Sequence, residues 1–338
     1  MLSLQKGINL GGWLSQCDYS KSRYETFITE EDFRQIADWK FDHVRIPFDY
    51  NLIETDSGER ITENEKYLDN AISWGKRHGL NVILDLHKTA GYDFNDFGNN
   101  QKNNLFDSES AKVRFLNLWD FISKRYANES HVAFELLNEV ADIEFIDPWN
   151  SLILRAVETI RKNAPETPII YGGVCWNSAS FVKNLVPPPS KNIIYTFHLY
   201  EPLLFTHQKA GWVEALKNSP EIPYTDNMEF FREHSKPLGY MGENLFRAKC
   251  EKMGPEFFED FLSEAIRAAS AQNVPLYCGE FGVIDQADAN ETVKWYRDVL
   301  RTFDKFNIGH ALWTYKEMDF GFTGEHYEPL REAILNQD

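Results

Sequence analysis

The feature that most constrains the fold of this chain is a regular alternation of short apolar runs and longer amphipathic stretches. The short runs predict eight strands, at 7–13, 41–48, 81–87, 132–138, 168–173, 192–200, 275–281 and 309–315. The stretches between them predict helices at 29–40, 63–78, 108–126, 148–163, 178–186, 256–271, 287–306 and 329–335. Eight strands that are each followed by a helix predict an α/β fold, the (β/α)8 TIM barrel.

One connection breaks this alternation. Residues 201–256 follow the sixth strand, and this segment is far longer than the usual βα loop of a few residues. It contains helical fragments of its own at 211–218 and 227–233. We predict a single catalytic domain over 1–338, with 201–256 forming a small helical lid subdomain inserted between strand 6 and helix 6. The alternative is a surface insertion with no part in function.

The composition excludes several classes of function. The 338-residue chain has a formal net charge of −17, which argues against nucleic acid and anionic membranes as partners because both require cationic patches. The sequence also lacks any run of about 18 apolar residues that could span a membrane. The cysteines are widely spaced without a CxxC pair, so neither a zinc site nor a disulfide framework is indicated. A neutral ligand fits this balance best.

The N-terminal sequence bears on location. Its first residues lack the cationic segment and apolar core of a secretion signal. We therefore expect a cytoplasmic protein as the sequence is written, or a secreted one whose signal peptide was removed. A monomer is the default expectation for the oligomeric state.

Two glutamates lie at the ends of predicted buried strands. Glu139 follows the apolar run 132–137, and Glu280 follows 274–278. A buried carboxylate is costly unless it is paired, hydrogen-bonded or neutralised. In a barrel of this type the carboxyl ends of the strands meet on one face, where the chemistry takes place. Because paired carboxylates that flank a bond are the equipment of glycoside hydrolysis, we predict that these two face a shared cavity.

Every predicted strand ends in a polar or tryptophan side chain, on the strand or in the loop just after it. Besides the two glutamates, these residues are Trp13, Arg45, His87, Asn138, Trp176, His198, Tyr200 and Trp313. Any one of them has a structural interpretation, for example an arginine that neutralises a neighbouring acid or a histidine satisfied within the core. A packed barrel has no reason to end all its strands in this way, so the set indicates a binding site.

The chain resembles glycoside hydrolase family 5 of clan A over essentially its whole length. The motifs that carry the resemblance are GINLGGW at 7–13, HVRIP at 43–47, DLH at 85–87, LNE at 137–139, HLY at 198–200, GEFG at 279–282 and WTY at 313–315. Within the family the chain is most similar to small endoglucanases with a subdomain inserted after strand six. The opening GINLGGWL also resembles the family's exo-β-1,3-glucanases.

The resemblance implies a role for each matching residue. It makes Glu139 the acid/base and Glu280 the nucleophile of a retaining enzyme that uses no cofactor and no metal. It also implies that six residues shape the subsite of the sugar that becomes covalently bound: Arg45, His87, Asn138, His198, Tyr200 and Trp313.

Elementary electrostatics agrees with these roles. The carboxyl groups of a retaining glycosidase lie about 5–5.5 Å apart. We expect Arg45 and the hydroxyl of Tyr200 to stabilise a Glu280 anion. At about 5 Å and an effective dielectric of about 20, that anion should raise the pKa of Glu139 to about 6–7. His198 is expected to orient Glu139.

Other side chains are expected to contact the sugars. We expect the Asn138 amide to reach the 2-hydroxyl and Trp313 to face the ring at the reacting subsite. Aromatic residues make up 14% of the chain, and their flat faces suit the apolar faces of sugar rings. Candidate platforms for neighbouring sugars are Trp13, Trp176, Phe205 and Trp212, the last two within the insertion. The alternative is that these rings only pack the core or the insertion.

The leading hypothesis is a retaining endo-β-1,4-glucanase of the cellulase type, which hydrolyses soluble β-glucans and cello-oligosaccharides by double displacement. Mannan or glucomannan endo-hydrolysis and exo-β-1,3-glucan hydrolysis remain open within the same family. Two other classes are a non-catalytic glycan-binding barrel, which would lack one glutamate, and a metal-dependent barrel hydrolase. The latter would require clustered His and Asp ligands, whereas the first strand offers Asn9 and Trp13.

Overall fold

The sheet of this chain is a closed barrel of eight parallel strands that pair in chain order. The computed structural model describes residues 2–96, 98–99 and 102–335, with the backbone alone for Tyr240. The strands are β1 (Lys6–Asn9), β2 (His43–Asp49), β3 (Asn81–Lys88), β4 (Val132–Glu135), β5 (Ile169–Gly172), β6 (Ile193–Leu199), β7 (Leu276–Phe281) and β8 (Gly309–Leu312). Their order and closure confirm the predicted (β/α)8 barrel.

Helices surround the barrel and connect its strands. They are α1 (Lys21–Thr26), α2 (Glu30–Asp38), α3 (Glu65–His78), α4 (Glu109–Tyr126), α5 (Ile146–Asn163), α6 (Leu203–Thr206), α7 (Met228–Ser235), α8 (Glu243–Arg247), α9 (Pro255–Ala271), α10 (Ala289–Phe306) and α11 (Glu328–Leu335). Short 3₁₀ helices lie at Tyr50–Leu52, Thr62–Asn64, Phe94–Asp96, Ile143–Phe145, Ala179–Asn184, Lys236–Gly242 and Glu325–Tyr327. Within the described part of the chain, no helix has both the length and the apolar character needed to cross a bilayer.

Local sequence signals set the bounds of several helices. Thr29 and Asp32 form a reciprocal capping box at the start of α2. Helix α3 ends at Gly79, whose φ of 71° lies in the left-handed region that glycine adopts without a steric penalty. Asp288 accepts two backbone N–H bonds at the start of α10. These signals explain why the predicted bounds of these helices lie close to the observed ones.

Two of the predicted helical segments were wrong. Residues 178–186 form only the 3₁₀ helix Ala179–Asn184, and prolines follow at 187–189. A proline disfavours the α conformation in the residue before it, so this segment cannot continue as a helix. Residues 211–218 form turns. A helix of this length is marginal by itself, so tertiary packing decides whether it forms, and α7, which has the same length, does form.

The barrel interior changes from apolar to polar along the strands. Successive side chains of a strand point to opposite faces, so Ile83, Asp85 and His87 of β3 share the inner face. A small apolar cluster fills one level, formed by Leu4, Ile83, Ala133, Ile170, Ile194, Tyr277 and Ala311. Toward the carboxyl ends the inner positions become charged or polar. The strands themselves therefore deliver the polar side chains to one end of the barrel.

The pairing of β6 with β7 is irregular where the polar side chains begin. Its register shifts between Phe197 and His198, after which His198 pairs with Glu280. The register of β7 against β8 also shifts between Cys278 and Phe281. Irregularities of this kind re-aim side chains and are frequent beside active sites. Here they place an imidazole next to a carboxylate on neighbouring strands.

The segment between β6 and α9 contains α6, α7 and α8 and packs against the barrel. The backbone N–H of Ile284, in the loop after β7, donates to the carbonyl of Thr206 over 2.9 Å. The Nε1 of Trp295 on α10 donates to the carbonyl of Glu201 over 2.9 Å. Residues 201–256 are thus fixed to the β7 side of the barrel. Their function as a lid remains a prediction.

Candidate active site

The structure brings Glu139 and Glu280 together at the carboxyl end of the barrel. Three atoms lie within 4.8 Å of one another: one carboxylate oxygen of Glu139, one of Glu280 and a ring nitrogen of His198. Nδ1 of His198 is 2.7 Å from Oε1 of Glu139 and 3.6 Å from Oε2 of Glu280. Both carboxylates are largely buried, with 8% and 5% of their surface exposed. The two acids therefore lie as close together as the sequence predicts.

Neighbouring strands hold the loop that carries Glu139. This loop leaves the barrel at the end of β4, and the backbone N–H of Asn138 donates to the carbonyl of Leu86 on β3 over 3.0 Å. On the other side, the carbonyl of Val140 accepts from the backbone N–H of Trp176 over 3.1 Å. Glu139 is therefore fixed between the β3 and β5 sides of the barrel.

A fully buried arginine, Arg45, hydrogen-bonds to several polar residues of the site. Arg45 donates from Nη1 to Oε1 of Glu280 over 2.9 Å and to Oδ1 of Asn9 over 2.9 Å. It donates from Nε to Glu135 over 2.7 Å and from Nη2 to Oδ1 of Asn138 over 2.8 Å. Such charge-assisted bonds are shorter and stronger than neutral ones. The position of Glu280 is thus set by a side chain that is itself fixed at several atoms.

The negative charge around Arg45 exceeds the positive charge. Besides Glu135 and Glu280, Asp85 lies 3.1 Å from Nη2 of Arg45. Burial disfavours the charged guanidinium, but these three carboxyl groups raise the pKa of Arg45 well above its usual value. Burial also raises the pKa of Asp85, to about 7, although Arg45 opposes this effect. The arginine stays a cation throughout the physiological range.

The environments of the two site glutamates differ. Burial raises the pKa of Glu139 to about 8, with Arg45 opposing the shift. At neutral pH Glu139 is therefore protonated and able to donate a proton. The expected direction agrees, but burial, rather than the charge of Glu280, is the main cause. Burial also lowers the pKa of His198, to about 4, so the imidazole beside Glu139 is neutral.

Two donors stabilise Glu280 as an anion. Arg45 donates to Oε1, and the hydroxyl of Tyr200 donates to Oε2 over 3.0 Å. Burial and the neighbouring Glu280 raise the pKa of Tyr200 well above its usual value, so this hydroxyl keeps its proton. Hydrogen bonds to a carboxylate favour its charged form. An ionised carboxylate at this position can act as a nucleophile.

His87 and Trp313 stand side by side in the site. The two rings stack almost parallel, with an interplanar angle of 2° and 5.9 Å between centroids. Nδ1 of His87 lies 2.6 Å from Oδ2 of Asp85. Burial lowers the pKa of His87 to about 3, so it is a neutral ring with Nδ1–H donating to Asp85. Of the two rings, Trp313 is the more exposed, at 7% against 1% for His87, so His87 supports Trp313 from the side.

Two of the four predicted sugar platforms have rings that a ligand can reach. Trp176 is half-buried in the turn after β5, next to the loop that carries Glu139. Trp212 is 58% exposed and meets His207 edge to face, at 6.1 Å between centroids. Their contact with sugars remains a prediction.

The other two predicted platforms were wrong. Phe205 is fully buried and packs on Tyr224 at 5.3 Å, because the short helix α6 turns it into the core of the insertion. Trp13 is also fully buried and stacks on Trp74 of α3 at 6.1 Å. Neither ring can present a face to a sugar.

Sequence reasoning missed three partners of Arg45, namely Asn9, Asp85 and Glu135. Each lies within a strand whose other residues are mostly apolar, and each is fully buried. Acidic and amide residues at inward-facing positions of apolar strands could have predicted these contacts, because a buried charge such as that of Arg45 requires partners. The sequence analysis considered the residues at the strand ends, whereas these three residues lie within the strands and hold Arg45 in position.

One cluster in the described part of the chain has the donor atoms of a metal site. It consists of Glu139, His198 and Glu280, the same residues that form the site. The guanidinium of Arg45, 2.9 Å from Glu280, would repel a cation placed there. Both oxygens of Glu280 also already accept hydrogen bonds. The donor set therefore fits chemistry carried out by two carboxyl groups better than metal binding.

Comparison with known proteins identifies the family. The model of the cellulase family, glycosyl hydrolase family 5, matches residues 6–319. The chain is 39% identical to Endoglucanase C of Acetivibrio thermocellus, over 99% of this chain and 98% of that protein. It is 40% identical to Cellodextrinase A of Ruminococcus flavefaciens, over 90% of this chain and 83% of that protein. The chain belongs to glycosyl hydrolase family 5 and is a glycoside hydrolase with a carbohydrate substrate.

Solved structures show the same architecture. Thermotoga maritima Cel5A in complex with cellobiose superposes with a TM-score of 0.75, at 26% identity over 98% of this chain and 97% of that one. The same protein in complex with mannotriose gives a TM-score of 0.73, at 26% identity over 98% and 96% of the two chains. The fold is therefore shared over nearly the whole of both chains.

Proposed function

We propose that this chain is a retaining endo-β-1,4-glucanase that hydrolyses soluble β-glucans and cello-oligosaccharides by double displacement. The observation that carries the proposal is the separation of the two carboxyl groups, whose nearest ligand atoms lie within 4.8 Å. Retaining enzymes require about 5–5.5 Å, whereas inverting enzymes require about 6.5–9.5 Å to seat a water molecule. The names of Endoglucanase C and Cellodextrinase A support the glucan substrate.

In the first step, a carboxylate oxygen of Glu280 attacks the anomeric carbon. The bond from that carbon to the leaving oxygen breaks, and the leaving oxygen takes its electron pair together with the proton of Glu139. With His198 neutral, its Nδ1–H tautomer donates to Oε1 of Glu139, and the acidic proton then sits on Oε2, free for the leaving group. The products are a glycosyl ester of Glu280, a free hydroxyl group and an ionised Glu139.

In the second step, Glu139 acts as a base. Its carboxylate removes a proton from a water molecule, whose oxygen attacks the anomeric carbon and displaces Glu280 as an anion. The hydrogen bonds from Arg45 and Tyr200 stabilise that leaving carboxylate. Two inversions at one carbon give net retention of configuration, and both acids return to their starting states.

The roles proposed for the remaining residues follow from their positions. Asn138 accepts from Arg45 through its Oδ1, which leaves its NH₂ group to reach the 2-hydroxyl of the sugar. Trp313 and His87 form the floor beneath the ring. Trp176 lies on the side of Glu139, and therefore supports the leaving part of the substrate.

We also propose that residues 201–256 form one wall of the cleft. Within this segment His207 packs on Tyr200 at 4.9 Å and on Trp212 at 6.1 Å. Because Tyr200 bonds to Glu280, a chain of side-chain contacts links the exposed ring of Trp212 to the nucleophile. A Trp212→Ala variant should lose activity on long glucans. Phe246→Ala, which changes another exposed aromatic residue of the insertion, is the matched control.

A panel of soluble polysaccharides with product sizing over time tests the substrate. Carboxymethylcellulose and mixed-linkage β-glucan should be cleaved internally, with an early fall in average chain length. Release of glucose alone from a β-1,3-glucan would contradict the proposal in favour of exo-β-1,3-glucan hydrolysis. Retention is tested by adding azide to a Glu280→Gly variant, which should form the α-glycosyl azide.

A second candidate substrate is mannan or glucomannan. Its support is the relative Cel5A, whose solved complexes contain either cellobiose or mannotriose. Hydrolysis of mannan at a rate equal to or above that of β-glucan would favour this candidate. A low rate on mannan together with rapid cleavage of mixed-linkage β-glucan would exclude it.

A further inference from the structure

The loop that follows β1 is held by a single buried carboxylate at the end of β2. Asp49 is 1% exposed. It accepts from the hydroxyl of Ser15 over 2.7 Å, from the hydroxyl of Tyr19 over 2.7 Å and from the backbone N–H of Gln16 over 3.3 Å. All three donors belong to one short stretch of chain. Asp49 therefore fixes the shape of residues 15–19.

This stretch has an unusual backbone. Gln16 and Tyr19 have φ angles of 51° and 55°, in the left-handed region where side chains with a Cβ are strained. Such conformations persist only where the surrounding structure imposes them, and they cluster at functional sites. Here both residues donate hydrogen bonds to Asp49, Gln16 from its backbone N–H and Tyr19 from its hydroxyl.

The side chain of Gln16 reaches into the active site. Its Nε2 lies 2.7 Å from Nε2 of His87, whose Nδ1 lies 2.6 Å from Asp85. Because His87 donates from Nδ1 to Asp85, its Nε2 is an acceptor and Gln16 is the donor. This bond uses one N–H of the carboxamide. Among the residues that the structure describes, the second N–H and Oε1 have no hydrogen-bond partner and are available to a ligand.

Tyr19 offers a flat face in a fixed orientation. The residue is 37% exposed, although its hydroxyl donates a hydrogen bond to Asp49. A tyrosine fixed at its polar end loses little further freedom when a ligand packs on its ring. A flat aromatic face beside a free carboxamide is suited to a sugar ring, which has an apolar face and a rim of hydroxyl groups.

The two residues lie on the side of the cleft away from the leaving group. Glu139 must reach the leaving oxygen, so the departing part of the substrate extends toward β4 and β5. The loop that carries Gln16 and Tyr19 lies between β8 and β2 in the order of the barrel, together with Trp313. The sugars that stay bound to the enzyme extend in this direction.

We propose that Gln16 and Tyr19 form a subsite for the sugar that precedes the reacting one on its non-reducing side. The ring of Tyr19 packs on the apolar face of that sugar, and the free carboxamide atoms of Gln16 bond to its hydroxyl groups. This assignment rests on the proposed glucanase function. It adds two substrate-binding residues, and Asp49 becomes a positioning residue that acts through them.

The test compares chromogenic substrates that differ only by that sugar. The 2,4-dinitrophenyl β-glucoside fills the reacting subsite alone, whereas the matching β-cellobioside also fills the subsite proposed here. Tyr19→Ala should lower kcat/KM for the cellobioside about tenfold or more and leave the glucoside within about twofold. Gln16→Leu should lower both, because it also removes the donor to His87, with the larger loss for the cellobioside.

Two further variants separate binding from loop structure. Tyr19→Phe keeps the ring and should retain most of the activity on the cellobioside. Phe306→Ala removes a ring of similar exposure, 36%, at the far end of α10 and should behave as wild type. Titration of cellotriose into a Glu280→Gln protein, with and without Tyr19→Ala, measures the same loss as affinity, without any turnover.

The outcomes separate the two proposals. If the wild type hydrolyses none of these β-glucosides, the proposed function fails. If the wild type is active and Tyr19→Ala lowers both substrates equally, or neither, the subsite assignment is wrong. An unchanged affinity for cellotriose in Tyr19→Ala would also overturn it. A selective loss on the cellobioside, with Tyr19→Phe active, supports it.

Discussion

The surroundings of Glu280 and Glu139 show how one residue type can serve two purposes within a few ångströms. Glu280 lies on a strand and receives hydrogen bonds from a guanidinium and a phenol. Glu139 lies in a loop, beside the neutral imidazole of His198, where burial raises its pKa to about 8. The surroundings of Glu280 supply donors that stabilise an anion, whereas the surroundings of Glu139 disfavour one. The proposed mechanism requires this difference, because one carboxyl group must be ionised while the other carries a proton.

The strands of the barrel and the loops around it position different groups of residues. The donors to Glu280 come from Arg45 on β2 and from Tyr200 just after β6, and Arg45 is itself held by several acceptors. The residues proposed to choose among sugars lie on loops, such as Gln16, Tyr19 and Trp212. A rigid barrel thus positions the reacting groups, while the loops around it vary the substrate.

The largest effect on activity is expected from removing the negative charge of Glu280. Glu280→Gln preserves the shape of the side chain but abolishes the nucleophile, so kcat should fall by about 10⁴-fold or more. Steady-state hydrolysis of β-cellobiosides measures this loss. The control is Glu264→Gln on the outer face of α9, where Glu264 is exposed and pairs only with lysine and arginine side chains. Wild-type turnover in Glu280→Gln would contradict the assignment.

Removing the carboxyl group of Glu139 should lower kcat/KM by an amount that depends on the leaving group of the substrate. Glu139→Ala deletes the proton donor, so kcat/KM should fall by about 10³-fold for an aryl cellobioside with a poor leaving group. With a 2,4-dinitrophenyl leaving group, which departs without a proton, kcat/KM should change little. A loss of equal size for both substrates would show that Glu139 is not the acid.

A smaller effect is expected from one of the two donors to Glu280. Tyr200→Phe removes the hydrogen bond to Oε2 but leaves the ring and the bond from Arg45 in place. We expect kcat to fall about tenfold to a hundredfold, because one of the groups that stabilise the charge on Glu280 is lost. The measurement is kcat on a cellobioside, with the melting temperature as the test of intact folding. An unchanged kcat would show that Arg45 alone suffices.

The smallest effect concerns stability. The pKa of Glu139 is about 8 in the folded chain against a reference value of 4.5. Between these values, a rise in pH removes the proton from the unfolded chain but not from the folded one, so the free energy of unfolding decreases. Glu139→Gln cannot ionise and avoids this loss. Its melting temperature, relative to wild type, should therefore be higher at pH 7.5 than at pH 5, by about 2 °C or more.

This stability prediction has its own internal control. Well below pH 4.5 both the folded and the unfolded chains carry a protonated Glu139, so the difference between variant and wild type should reach a constant value. A difference that is the same at pH 5 and pH 7.5 would mean that burial does not raise the pKa of Glu139 as the structure indicates.

The sequence predicted the barrel and the two acids because both depend on short-range patterns. Eight strands of fixed period place Glu139 and Glu280 on one face whatever the details of packing. The partners of Arg45 were not predicted, because the four strands β1 to β4 must be assembled before Asn9, Asp85 and Glu135 can meet around Arg45. Their positions depend on register, which a linear pattern does not contain.

The errors lie where the chain leaves the regular elements. Phe205 and Trp13 were expected to face sugars, but the orientation of an aromatic ring outside a strand depends on the tertiary packing around it. Gln16 and Tyr19 were missed for the opposite reason. Nothing in their local sequence indicates that both residues donate to Asp49, 33 and 30 residues away, and have left-handed backbone conformations.

The central claim is that Glu280 attacks the sugar while Glu139 supplies the proton. The most direct measurement uses 2,4-dinitrophenyl 2-deoxy-2-fluoro-β-cellobioside, whose fluorine slows release of the sugar from the enzyme. Mass spectrometry of the intact chain should show the addition of one fluorocellobiosyl group, located by peptide sequencing at Glu280. A label on Glu139, or no label while the enzyme releases sugar with inverted configuration, would contradict the account.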